Sequence, residues 1–75
     1  MKLKSLAANM TEVETEKATI LFSYSTPVAC CMNTFVPAFF KTTEYFSVTT
    51  SRHINKWLAG HNFTLMPQSF FDNLV

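Results

Sequence analysis

Glycine is almost absent from this 75-residue chain, which contains a single glycine, at position 60. Phosphate-binding loops and dinucleotide-binding turns need several glycines, because the backbone must approach the phosphates closely. The glycine-flanked turn that presents the nucleophile in many hydrolases is absent for the same reason. The sequence therefore excludes these nucleotide sites, and it leaves Ser47, Ser51 and Cys30 as weak candidates for a nucleophile beside a histidine.

Charged residues are also few, at 15% of the chain against roughly 25% in soluble domains. The net charge of +1 lacks the basic excess of dedicated DNA-binding domains and the acidic excess of nucleic-acid mimics. Two histidines, one aspartate and no pair of carboxylates within an apolar run offer little for acid–base catalysis. We therefore predict that the protein is not an enzyme and uses no cofactor.

Cysteine occurs only at the adjacent positions 30 and 31. Neighbouring strand residues point to opposite faces, and a disulfide between neighbours requires a strained ring. No second cysteine cluster or nearby histidine completes a zinc site. The sequence predicts two half-buried free thiols and no metal site, with a redox role as the alternative.

Long apolar runs are missing as well. No stretch approaches the roughly 20 apolar residues of a membrane span, and residues 1–17 contain no run long enough for a signal peptide. We therefore expect a cytoplasmic protein without a membrane partner. The length fits a single domain over residues 1–75, of marginal size for burying a core.

Hydrophobic residues, by contrast, make up 48% of the chain and include eight phenylalanines. A domain this small has a large surface for its volume, so part of this apolar area is expected to stay exposed. Exposed apolar patches mark partner interfaces. We therefore predict a homo-oligomer, most simply a dimer.

Short β-type segments fill the first two thirds of the chain. Residues 3–15 fit both helical spacing and strand alternation, and the run Thr11, Val13, Thr15 favours a strand. Further predicted strands are ATILFSYS at 18–25, VACCM at 28–32, FVPAFFKT at 35–42 and YFSV at 45–48. Pro27, Asn33-Thr34 and Thr43-Glu44 separate them, and Pro37 confines the third to an edge or a bulge.

The hydrophobic period changes after residue 50. Ile54, Trp57 and Leu58 follow the i, i+3, i+4 spacing of one helical stripe, which predicts a helix over about 50–59. Thr50 or Ser51 is the predicted N-cap, and Gly60 the left-handed residue that ends the helix. A short helix over about 67–74 is predicted after Pro67, which suits the first helical position.

These elements predict a small α+β domain. Its sheet is an antiparallel β-meander of three to five strands, and both helices are expected to cover the same face. Trp57 is expected at the centre of the core. The predicted core residues are Phe22, Ile54, Trp57, Leu58, Phe70 and Leu74.

The predicted 50–59 helix carries a basic ridge, formed by Arg52 and Lys56, opposite the stripe of Ile54 and Leu58. His53 lies on one flank, beside Trp57. The ridge is either an ordinary solvated face, a contact site for an acidic protein surface or a phosphate site, with Lys41 as a further candidate cation. Two cations on one helix neutralise few phosphates, so nucleic-acid binding is not favoured.

Two segments, ILFSYSTPVA at 20–29 and YFSVTTSRHINKWL at 45–58, resemble a family of small bacteriophage-encoded proteins with a domain of unknown function. The resemblance covers roughly residues 18–75 and is most specific over 47–58. It implies a phage-like product made in the bacterial cytoplasm and supplies no catalytic or binding residue. Members usually place a glycine-bearing hairpin turn after the PVA strand, whereas this chain has CCMNTFVPAFF there.

Two functions follow as expectations. The first is stoichiometric binding to a host or phage protein, including a host defence protein, for which the aromatic excess and near-neutral charge are suited. The alternative is a nucleic-acid-associated regulator that uses the basic ridge. A structural virion component is a third, weaker option.

Overall fold

A computed structural model of the chain describes residues 2–33 and 38–74 and has the predicted α+β class. Its sheet has six strands rather than three to five. In chain order the elements are β1 (Lys2–Ala7), β2 (Met10–Glu14), β3 (Ala18–Ser23), β4 (Thr26–Met32), β5 (Ala38–Thr42), α1 (Val48–Leu58), β6 (Phe63–Met66) and α2 (Gln68–Asp72).

The strands lie in the sheet in the order in which they occur in the chain. The pairs from β1 to β5 are antiparallel, as the predicted meander requires, but β6 pairs parallel to β5. Helix α1 accounts for this difference, because a helical crossover carries the chain back to the end of the sheet where β5 began. The strand β6 was not predicted.

The ambiguous segment 3–15 forms strands, and it forms two of them. Strands β1 and β2 make a hairpin that turns at Ala8 and Asn9. Asn9 has a φ of 61°, a left-handed conformation that asparagine tolerates better than most residues. The alternation along this segment is therefore real, but it is interrupted by a turn that the sequence interpretation overlooked.

Pro27 lies inside β4, although it was expected to separate two strands. The register between β3 and β4 shifts after Leu21, so that Phe22 pairs with Pro27 and Leu21 with Ala29. Val28 lies at this irregularity and packs on the same side of the sheet as Ala29. Strict alternation along VACCM would place Val28 on the same face as Cys30 and Met32, but the bulge interrupts the two-residue period and Val28 lies on the opposite face.

The predicted strand YFSV is also wrong. Residues 45–47 form no strand, and Ser47 is the N-cap of α1, which begins at Val48. The Ser47 hydroxyl accepts a hydrogen bond from the backbone N–H of Thr50 at 3.1 Å. The predicted turn residue Thr34 and the predicted edge residue Pro37 lie outside the described residues.

The caps of α1 differ from the predicted ones at both ends. Thr50 is a buried residue of the first turn, not the N-cap. At the other end the C-cap is Ala59, with a φ of 49°, and Gly60 follows with a φ of 84°. The left-handed conformation predicted for Gly60 is thus confirmed, one residue beyond the cap. Pro67 is the N-cap of α2 rather than its first helical residue.

The two helices cover opposite faces of the sheet, not one face. Strand alternation places Ile20 and Cys30 on one face and Leu21 and Ala29 on the other, so each face has its own apolar cluster. The buried residues on the α1 face are Met10, Leu21, Val28, Ala29, Ile54 and Leu58. Those on the α2 face are Ala18, Ile20, Cys30 and Phe71.

The predicted core residues fall into two groups. Ile54 and Leu58 are buried, as expected, whereas Trp57 is half-buried at the edge of the α1-face cluster rather than at its centre. On the other face, the half-buried side chains Phe22, Phe70 and Leu74 pack against the α2-face cluster. Phe71, which was not predicted, is fully buried there.

Candidate interaction surface around helix α1

A buried polar network joins the first turns of α1 to strand β3. The hydroxyl of Ser23 lies 2.9 Å from Oγ1 of Thr50 and 2.8 Å from Nδ1 of His53. Ser47 extends the chain of hydroxyls, since its Oγ donates to Oγ1 of Thr50 at 3.2 Å. The network satisfies polar atoms that would otherwise be buried at a cost, and it fixes the position of α1 along β3.

Ser23 and His53 lie as close together as a catalytic nucleophile and its base, but Ser23 lacks the solvent exposure that a nucleophile needs. Ser23 is 2% exposed, so its hydroxyl is out of reach of a substrate in this conformation. Its hydrogen bonds to His53 and Thr50 instead serve to anchor the helix. Among the residues that the structure describes, His53 Nδ1 is hydrogen-bonded to Ser23 and not to Ser47, Ser51 or Cys30, the nucleophiles first considered.

Trp57 follows His53 by one turn of α1 and packs at the edge of the α1-face cluster. Its indole N–H donates to Oε1 of Glu12 at 2.9 Å, and its ring meets Phe39 edge-on at a centroid distance of 5.9 Å. Phe39 in turn stacks on the ring of His61 at 4.5 Å, with the planes 7° apart. An edge position therefore suits the tryptophan, because its N–H reaches a carboxylate while its rings pack on the sheet.

The predicted basic ridge faces outward. Arg52 and Lys56 are both exposed, opposite the buried Ile54 and Leu58. His53 lies on the flank beside Trp57, as predicted, but it is half-buried and held by Ser23 rather than open to solvent.

The two lysines of strand β1 lie opposite glutamates of strand β2. Lys4 pairs in register with Glu12, and Lys2 with Glu14, on the first two strands. Cross-strand residues of opposite charge lie side by side on one face of a sheet. These two lysines therefore add little to the field of the ridge.

Lys41 does not join the ridge. It lies on β5, with its Nζ 4.4 Å from the centroid of the Phe63 ring. Together with Tyr45 and Leu65 it lines an open groove between α1 and β6, on the flank of the helix that carries Ser51. The structure thus separates Lys41 from the other candidate binding residues.

An exposed apolar patch precedes and begins helix α1. It consists of Tyr45, Phe46 and Val48, which are 70%, 45% and 58% exposed, and we call it the helix-entry patch. Val48 lies one turn before Arg52 on the same exposed face of the helix. Sequence reasoning missed this patch because the alternation of residues 45–48 was interpreted as a strand, whose alternate side chains would have been buried.

The two cysteines are free thiols, as predicted. Cys31 is half-buried, as predicted, but Cys30 is fully buried on the α2 face rather than half-buried. Burial, together with the neighbouring Cys31, raises the pKa of the Cys30 thiol to about 11. Burial also raises the pKa of Cys31. Both shifts disfavour the thiolate, which is the reactive form of cysteine.

Within residues 2–33 and 38–74, no three metal-ligating side chains lie close enough together to hold a metal ion. None of the helices described is long and apolar enough to cross a membrane.

Comparison with known proteins places this architecture in a family. A family model described as a family of unknown function (DUF8033) matches residues 1–73 of the chain. The chain is a member of the DUF8033 family. The matched range includes the β1–β2 hairpin, and the family description states no origin for its members. No curated protein and no solved structure matches this DUF8033 chain. Because the family description assigns no activity, the function must be argued from the surface itself.

Proposed function

We propose that this DUF8033 protein is a bacteriophage-type accessory protein that acts in the bacterial cytoplasm by binding another protein stoichiometrically. The partner class is a host or phage protein, including a host defence protein. The observation that carries the proposal is the helix-entry patch, where Tyr45, Phe46 and Val48 are exposed, with the exposed Arg52 one helical turn after Val48. The sequence resemblance to phage-encoded proteins supports the proposed origin.

The composition of this surface favours a protein partner. Tyrosine, phenylalanine and arginine are enriched in protein interfaces, whereas lysine and glutamate are depleted there. The helix-entry patch places two aromatic rings at positions that the fold itself does not bury. Burying them in a partner would release water from apolar surface, and Arg52 at the margin would add a directional contact.

Site-specific photo-crosslinking in bacterial cells tests this proposal. A photoreactive amino acid replaces Tyr45 in one variant and Tyr24, the other exposed tyrosine, in a matched control. We expect one discrete crosslinked protein from position 45 and none from position 24. The crosslinked partner, once purified, should form a 1:1 complex with the wild-type chain. Tyr45→Glu should weaken this complex at least about tenfold. Equal or diffuse crosslinks from both positions, or no crosslink at position 45, would contradict the proposal.

The alternative function is nucleic-acid binding through the basic ridge. It is favoured by one observation, the exposure of Arg52 and Lys56 on a single helix face. Binding of this kind weakens linearly in log–log form as salt rises, with a slope set by the phosphates neutralised. Contact through apolar surface is much less screened by salt.

A salt titration of fluorescence anisotropy separates the two functions. On random duplex and single-stranded oligonucleotides, we expect no appreciable binding at low micromolar protein and about 150 mM salt. The variant Arg52→Ala/Lys56→Ala should retain most of its affinity for the protein partner. Tight oligonucleotide binding with a steep salt slope, abolished in this double variant, would instead establish the nucleic-acid function.

A further inference from the structure

The two edges of the sheet are chemically different. Strand β1 forms one edge and carries Lys2 and Lys4, and lysines on an edge strand oppose pairing with another chain. Strand β6 forms the other edge, and the whole segment 61–71 contains no charged residue. Within the part of the chain that the structure describes, no strand pairs with the outer side of β6.

The backbone groups on this outer side can be assigned from one hydrogen bond. The carbonyl of Met66 accepts from the N–H of Thr43 at 3.0 Å, so Met66 directs its backbone groups toward β5. Because backbone orientation alternates along a strand, Thr64 does the same. Phe63 and Leu65 therefore direct both their N–H and their C=O groups outward.

The side chains of these same two residues are also partly exposed, although Lys41 Nζ lies 4.4 Å from the centroid of the Phe63 ring. Phe63 is 45% exposed and Leu65 is 54% exposed. Their register partners on β5 are Phe39 and Lys41, so they lie on the α1 face, beyond the area that α1 covers. Strand β6 thus offers outward hydrogen-bonding groups and apolar side chains at the same two positions.

We propose that β6 pairs antiparallel with β6 of a second copy of this chain, about a two-fold axis through Thr64. In this register Phe63 lies opposite Leu65 of the second copy, and Leu65 opposite its Phe63. All four outward N–H and C=O pairs are then used, and two aromatic–aliphatic side-chain pairs form on one face. Thr64 of one chain lies opposite Thr64 of the second copy, in a non-hydrogen-bonded pair.

The chemistry of the edge favours a second copy as the occupant. An uncharged edge meets its own copy without like-charge repulsion, and a two-fold axis uses the same surface on both chains. A register shifted one way brings Pro67, which has no N–H, opposite Phe63; a shift the other way uses His61, which lies outside the strand. The lysine-bearing β1 edges remain at the two ends of the joined sheet and oppose further growth.

This dimer is distinct from the proposed binding of another protein, because it uses the backbone edge of β6 rather than the helix-entry patch, although Tyr45 and Leu65 line the same groove. Its area is small, so the association should be concentration-dependent rather than obligate. Sedimentation equilibrium of the whole chain is expected to show a reversible monomer–dimer equilibrium at about 10–500 µM.

Two matched variant pairs test the register. Thr64→Cys places two thiols across the axis, where the Cα separation of about 4.5 Å in such pairs lies in the range for a disulfide. Mild oxidation should link most Thr64→Cys chains into dimers, but neither wild type nor Ser5→Cys on the β1 edge. Leu65→Lys should raise the dimer dissociation constant at least about tenfold, whereas Leu3→Lys, at a residue 73% exposed on β1, should leave it unchanged.

Each of these measurements has a result that would contradict the proposed dimer. A wild-type chain that stays monomeric to about 1 mM would overturn the proposal. So would crosslinking of Ser5→Cys as efficient as that of Thr64→Cys, or equal sensitivity of the dimer to Leu3→Lys and Leu65→Lys. Circular dichroism of each variant verifies folding, and if Leu65→Lys unfolds, the cysteine pair decides alone.

Discussion

Ser23 Oγ lies 2.8 Å from Nδ1 of His53 and 2.9 Å from Oγ1 of Thr50, so one strand hydroxyl holds two consecutive turns of helix α1. These hydrogen bonds cross the interface between the sheet and α1, and Ser23 is almost completely buried. They explain why a histidine on the flank of an otherwise apolar stripe is compatible with packing: its ring nitrogen has a partner inside the protein.

Removing this hydroxyl should destabilise the fold. Ser23→Ala leaves both partners without their shared hydrogen bond, and we expect the free energy of unfolding to fall by about 1–3 kcal/mol. Ser25→Ala, at an exposed turn position of the same hairpin, should change it by less than about 0.5 kcal/mol. Urea denaturation measures both values, and equal stabilities for the two variants would refute the anchoring role.

Trp57 should contribute less than a fully buried tryptophan. Truncating a buried aromatic costs about 3–5 kcal/mol, and the half-buried position of Trp57 places Trp57→Ala at about 2–3 kcal/mol. Trp57→Phe, which keeps a ring against Phe39 but loses the donor to Glu12, should cost about 1 kcal/mol. The free energy of unfolding of Arg52→Ala/Lys56→Ala should remain within about 1 kcal/mol of the wild-type value. Thermal melts of all three variants measure these differences. A collapse of that charge variant with little effect of Trp57→Ala would reverse the assignment of helix faces.

The N-cap can be located by two serines four positions apart. Ser47→Ala removes the acceptor for the Thr50 N–H and should cost about 1 kcal/mol. Ser51→Ala, within the helix, should cost less than about 0.5 kcal/mol, because alanine has the higher helix propensity. Chemical denaturation of both variants gives the comparison. A larger loss from Ser51→Ala would support the cap position first expected from the sequence.

The buried thiol should be almost inert in the folded protein. With its pKa raised to about 11, Cys30 is in the thiol form near pH 8, and its thiolate appears only as the pH rises toward 11. In a Cys31→Ser chain, alkylation near pH 8 should therefore be negligible in native buffer and complete in denaturant. Mass spectrometry over time measures it, with the wild type showing Cys31 labelled first. Rapid native labelling of Cys30 would show that β4 opens readily.

The sequence predicted those elements whose periodicity reflects burial on one side. The stripe of Ile54 and Leu58 predicted α1, and alternation predicted β3 and most of β4. The prediction failed where strand pairing is irregular or absent. Pro27 lies within a strand because a bulge accommodates it. Residues 45–48 alternate in polarity but pair with no strand in the described part of the chain. Such positions depend on the register between strands, which no local pattern encodes.

The candidate site was predicted only in part. Arg52 and Lys56 do face outward, but Lys41 belongs to the β6 groove and His53 to the internal network. The helix-entry patch and strand β6 were missed, although Ser47 belongs to the residue types preferred at N-caps and the run Phe63–Met66 stands between Gly60 and Pro67. Both signals are weak, because tertiary context decides whether apolar residues are buried.

The parallel β5–β6 pair has a consequence for the order of folding. Strands β1 to β5 pair with their chain neighbours, whereas β5 must pair Phe39 with Phe63, 24 positions later and on the far side of α1. Contacts between distant positions form late, since the loop must close before they stabilise anything. The meander is thus expected to assemble before β6 joins it, and amide hydrogens of β6 should exchange earlier than those of β3 and β4. We therefore expect β6 to be the strand that detaches while the rest of the sheet stays folded.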